Sequence, residues 1–176
     1  SWQKETLKNF DLLSKAITLF NQSLLVDNSS AFLIRYNIIE ICGKTKPEDT
    51  IWNFTKPNDE LDDFFNNIKV SICEIIDKDE QGYFNNKWNS IQNIIKSKSL
   101  RKQLEDSLTK NDINVELLPI KSNKIVQLRN NITHGSIDKV NTEQLRKANI
   151  LLYRISGILI LNLMGIKEWK LNTEIK

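Results

Sequence analysis

Apolar residues recur every three or four positions along most of this chain, the period of an α-helix packed on one side. The first run covers residues 3–26, where Leu7, Phe10, Leu13, Ile17, Phe20 and Leu24 form one seam. Asp27-Asn28-Ser29-Ser30 breaks it and offers N-caps to a second helix over residues 30–42. That helix is apolar on most of its circumference, so it is expected to be buried on more than one side. Arg35 and Glu40 within it then need partners, because a charge buried unpaired is costly. They form structural pairs or line a cleft.

Gly43, Pro47 and Pro57 mark residues 43–58 as a loop. Its Trp52 and Phe54 either pin it to the core or stack on bases. Residues 59–77 carry the stripe Leu61, Phe64, Phe65, Ile68, Ile72, Ile75 and Ile76, with Asn58 and Asp59 as caps. The acids Glu60, Asp62 and Asp63 suit the positive end of that helix better than a metal. A break is expected over 78–82, at Gln81-Gly82. The next helix spans 83–97, with Tyr83, Phe84, Trp88, Ile91, Ile94 and Ile95 inward, and a short one covers 100–110 through Leu100, Leu104 and Leu108. Residues 111–122 connect to a helix carrying Ile125, Leu128 and Ile132, which Gly135 is placed to end. Asn141 or Thr142 caps a last long helix over 142–165, and the tail from Trp169 is strand or coil. Asn149, Arg154, Ser156, Gly157 and Asn162 interrupt that helix too often for a membrane span, so a buried central helix is expected.

The pattern therefore predicts an all-α, up-and-down bundle of about five to seven helices, in a single domain over residues 1–176. Composition leaves this picture in place. The chain has 176 residues, 40% hydrophobic and 27% charged, with few glycines and prolines. Its net charge of +3 is too small to demand a nucleic-acid partner by itself. Cys42 and Cys73 are isolated thiols without metal-site or disulfide spacing, and with a single histidine no zinc site is expected. No cofactor and no membrane are expected, and a reducing, cytoplasmic setting is. Beginning at Ser1 without a Met, the chain is expected to be a domain excised from a longer protein, with other domains as neighbours.

Chemistry has one plausible seat. His134, the only histidine, lies five positions after Arg129, with Asn130 directly after that arginine and Gly135 directly after the histidine. On a helix Asn130 and His134 are i, i+4 and can touch, whereas Arg129 and His134 diverge by roughly 140°. A histidine before a helix-ending glycine also serves as a plain C-cap. The densest basic tract holds Lys96, Lys98, Arg101 and Lys102, which either bind RNA phosphates or form a solvated surface.

The stretch Leu128-Arg129-Asn130-Asn131-Ile132-Thr133-His134-Gly135 resembles the Arg-x4-6-His signature of the HEPN superfamily (higher eukaryotes and prokaryotes nucleotide-binding domains). The helical layout, with the motif late and a long apolar helix after it, is similar to that family's bundle over nearly the whole chain. It is most similar to the Apea-like type of prokaryotic defence proteins. A toxin subgroup carries a modifiable Tyr two residues after the His, and here that position is Ser136.

The resemblance implies a metal-independent endoribonuclease acting in prokaryotic defence or toxin-type RNA degradation. Its catalytic residues would be Arg129, His134 and Asn130, and its partners RNA and a second copy of the chain. A histidine can move a proton at neutral pH and an arginine fork can hold phosphorane oxygens, which suits attack of the ribose 2′-OH on the adjacent phosphate. With one histidine per chain, acid and base roles need two chains, as in the composite dimer cleft of HEPN ribonucleases. The alternative is a non-catalytic HEPN-like module for dimerisation or for nucleotide or RNA binding.

Overall fold

The computed structural model describes residues 2–43 and 50–175, and within them the chain is all-helical. Eight α-helices follow in order: α1 (Trp2–Lys8), α2 (Phe10–Gln22), α3 (Asn28–Gly43), α4 (Asn58–Ile75), α5 (Lys78–Lys96), α6 (Leu100–Lys110), α7 (Ser122–Thr133) and α8 (Thr142–Leu163). Short 3-10 turns at Val115–Leu117 and Ile137–Lys139 flank α7. The chain divides into two compact units, one of Ser1–Lys46 with Ser99–Lys176 and one of Pro47–Lys98.

The larger unit is a bundle around α3 and α8. Helix α3 packs against α2, α6, α7 and α8, which is why so much of its surface is apolar. Phe32, Ile38, Ile39, Leu151, Leu152, Ile155 and Leu159 are fully buried between these elements. Both helices start on local caps: Asp27 Oδ1 accepts from the Ser29 and Ser30 amides, and Asn141 Oδ1 from the Gln144 amide. The tail after α8 is coil. The Trp169 indole donates to Asn162 Oδ1 at 2.7 Å, and Arg154 Nη1 donates to the carbonyls of Asn172 and Glu174. Among the described residues no helix is long and apolar enough to cross a membrane.

The first expected helix is two. Asn9 breaks it, and its Nδ2 donates to the Leu163 carbonyl at 3.2 Å, so a contact with the end of α8 takes over at the kink. The buried face of α2 is also rotated from the apolar seam. Ala16 and Ser23 are buried beside Leu13, while Leu7, Phe10, Ile17 and Leu24 are exposed. Small residues face inward because α2 lies close against α3 and α8.

The smaller unit is a helical hairpin of α4 and α5. The break comes at Ile76-Asp77, earlier than the expected 78–82, and α5 runs through Gln81-Gly82. The Gln81 amide explains why: its Nε2 donates to the Cys73 and Ile76 carbonyls at 2.8 and 3.2 Å, satisfying the end of α4 from within α5. The N-cap of α4 is Pro57, without a side-chain cap bond, in place of Asn58 or Asp59. Phe65 and Trp88 are buried, but Phe64, Ile75, Tyr83, Ile94 and Ile95 are exposed. The expected loop over 43–58 lies partly outside the described residues. Within them, Gly43 still belongs to α3, and Trp52 and Phe54 are exposed rather than pinned to a core. That segment is held by its backbone: the Trp52 amide donates to the Lys96 carbonyl and the Lys98 amide to the Thr50 carbonyl, around an isolated Ile51–Ser97 bridge.

Gly82 sits inside α5, and a Cβ there would meet nothing within 4 Å. Gly82→Ala is expected to stabilise the hairpin by about 0.5–1 kcal/mol, because glycine loses more backbone freedom on folding. A higher urea midpoint at unchanged slope checks it.

Candidate active site

Helix α7 forms because Ile125 and Leu128 give it a buried stripe against α3 and α6. It stops in a Schellman motif. The Ser136 amide donates to the Asn131 carbonyl at 2.8 Å and the Gly135 amide to the Ile132 carbonyl at 3.2 Å. Gly135 takes a φ of 71°, a conformation that favours glycine. His134 is thereby the C-cap residue, its amide donating to the Asn130 carbonyl at 2.9 Å.

Capping uses the histidine backbone and leaves the imidazole exposed, without a hydrogen-bond partner among the described residues. Arg129 is half-buried, and its Nη1 donates to Asn130 Oδ1 at 3.3 Å. Thr133 Oγ1 donates to the Arg129 carbonyl at 2.8 Å. The structure thus joins Arg129 to Asn130 through side chains and Asn130 to His134 through the backbone. Among the described residues no hydrogen bond links Arg129 to His134.

Arg129 also has neighbours on α3: Glu40, expected in a structural pair or lining a cleft, and Tyr36, which the sequence did not mark. Burial pushes the Tyr36 hydroxyl up to about 12. The Glu40 charge pushes it the same way and the Arg129 charge opposes both. Tyr36, Glu40 and Arg129 therefore share one electrostatic environment at the α3–α7 contact. Tyr36 and Glu40 are one turn apart on α3, but nothing local ties them to a motif so much later in the chain. Arg35, the other charge singled out on α3, is structural. It donates to Ser23 Oγ and the Ser23 carbonyl at 3.1 and 3.2 Å and to Asn149 Oδ1 at 3.0 Å, and it lies 5.3 Å from the centre of the Tyr153 ring. Its partners are neutral acceptors and an aromatic face, where an ion pair was one expectation.

The basic tract is divided between the units. Lys96 and Lys98 belong to the smaller one, and Arg101 and Lys102 to the larger. Lys96 pairs with Asp62 at 3.2 Å and sits over the Phe65 ring. Arg101 pairs with Glu105 at 2.7 Å and Lys102 with Asp106 at 2.9 Å. Arg101, Lys102 and Lys121 line an open cavity of about 1050 Å³ together with Glu105, Asp106, Asp112 and Glu116, so its cations are outnumbered by carboxylates. Cys42 is buried, which pushes its thiol up to about 12 and makes it unreactive as a nucleophile. Among the described residues no three His, Cys, Asp or Glu side chains group in a way that could hold a metal ion. Comparison of the chain with family models, with curated proteins and with solved structures found no match.

Proposed function

We propose that this chain is a HEPN-like, metal-independent endoribonuclease whose active site is completed by a second copy of the chain. The observation that carries the reading is the end of α7, where an exposed imidazole at the C-cap follows a side-chain-paired arginine and asparagine in the last turns of the helix. Charge supports it. The unit that carries α7 has nineteen Lys and Arg against twelve Asp and Glu, a net of +7, suited to a polyanion. His134 would take the proton of the attacking 2′-OH or give one to the departing 5′-oxygen as the P–O5′ bond breaks, and Arg129 would stabilise the phosphorane charge. Asn130 would orient Arg129. RNA is the substrate because it brings its own nucleophile. One imidazole cannot serve as acid and base in the same step, so the second is supplied by the partner chain across a twofold axis. The biological setting that goes with this reading is prokaryotic defence or toxin-type RNA degradation.

The test is incubation of the purified chain with a mixed RNA pool in EDTA, followed by mapping of the new 3′ ends. Cleavage that persists and leaves 2′,3′-cyclic phosphates is expected. Loss of activity in EDTA, or 3′-hydroxyl products, rules the mechanism out. One observation favours a non-catalytic HEPN-like module for dimerisation or RNA binding instead: within one chain His134 serves as a backbone cap and does not meet Arg129. RNA bound without cleavage selects that reading.

A further inference from the structure

Four large side chains whose spacing assigns them to the inside stand out in the smaller unit. Phe64, Ile75, Tyr83 and Ile94 are 56, 83, 75 and 74% exposed. They form a strip. Helices α4 and α5 run antiparallel, with their register set by Lys96–Asp62 at one end and by Gln81 on the Cys73 carbonyl at the other. In that register Phe64 lies across from Ile94, and Ile75 across from Tyr83. At about 100° per residue, Phe64 and Ile75 fall roughly 20° apart around α4, and so do Tyr83 and Ile94 around α5. Each pair is turned in the same sense from its helix's inner stripe. Between antiparallel helices that puts both pairs on one face of the hairpin. Single exposed apolar residues need no explanation, but an aligned set marks an interaction surface.

The ground around the strip is acidic. Residues 47–98 hold six lysines against ten Asp and Glu, a net of −4. Asp79 and Glu80 border the strip on α5, are exposed and make no ion pair among the described residues. Lys87 lies on that border as well. We propose that this face docks a basic amphipathic helix of another protein, its apolar side on Phe64, Ile75, Tyr83 and Ile94 and its cations against the flanking carboxylates. A second copy of the hairpin would set −4 against −4, and nucleic acid would be repelled by the same field, so charge favours a basic helix as occupant.

The probe is a fluorescein-labelled, 18-residue peptide of leucine and lysine in amphipathic helical order, with a leucine–glutamate peptide of the same pattern as control. Anisotropy titration of the full chain is expected to show binding of the lysine peptide only, weakening as salt rises. Ile75→Ser with Ile94→Ser should weaken it by about tenfold or more, with an unchanged circular dichroism spectrum because both side chains are exposed. The proposal is overturned if the lysine peptide does not bind, if both peptides bind alike, or if the double variant binds as well as wild type. It is equally overturned if sedimentation velocity shows self-association that the double variant abolishes, since the occupant is then a second copy.

Discussion

His134→Ala and Arg129→Ala are each expected to slow RNA cleavage by about 10²–10⁴-fold, the usual range for losing a general acid–base group or a charge-stabilising donor. Melting temperatures should barely move. The C-cap of α7 is a bond of the His134 amide, which alanine keeps, and the imidazole makes no hydrogen bond among the described residues. Arg129 gives up one side-chain hydrogen bond, to Asn130. Because the cap and the chemistry use different atoms of His134, alanine separates them cleanly. Initial rates on a fluorogenic RNA, read beside thermal melts, make the measurement. Two fully active, well-folded variants would sink the ribonuclease reading. Arg129→Lys retains charge without the planar fork and should fall between the two levels. If a second chain completes the site, the rate per chain must also rise with protein concentration in the range where copies associate.

Gly43→Ala carries the largest expected loss of stability, about 2–3 kcal/mol, from forcing a methyl group into a closed contact. A Cβ on Gly43 would lie 1.9 Å from Ser107 Oγ, 2.3 Å from its Cβ and 3.0 Å from its Cα. The first two atoms are held by a buried side chain and the third is backbone, so α3 and α6 must separate. A melting temperature lower by about 5–10 °C is the readout for a chain of this size. Ser107→Gly removes the two nearest atoms at a helix-propensity cost of about 0.5 kcal/mol. In the Gly43→Ala background it should therefore restore more than it costs. A double-mutant cycle showing additive losses would mean that α3 and α6 are free to slide apart at this contact.

These two sites differ in how they could be read. The motif is a local pattern: Arg129, Asn130 and His134 lie within six positions, and Gly135 announced the helix end that the Schellman bonds then made. The Gly43–Ser107 approach has no local sign, because both residues are ordinary until two distant helices cross.

By itself the sequence determined the all-helical class, the ends of most helices and the central positions of α3 and α8. Helical period, N-cap side chains such as Asp27 and Asn141, and a glycine at the end of α7 act over a few residues and do not depend on what lies across the core. Tertiary structure decided which part of each apolar stripe is covered. Ala16 and Ser23 face inward on α2 while Phe10 and Ile17 do not, and Phe64, Ile75, Tyr83 and Ile94 lie on an open face. It also moved the α4–α5 break onto Ile76-Asp77 through Gln81, gave Arg35 its partners on Ser23 and Asn149, and set Tyr36 and Glu40 beside Arg129. Periodicity states that a helix has an apolar side, but the width of that side in contact depends on how closely its neighbours approach, and their side-chain sizes set that distance.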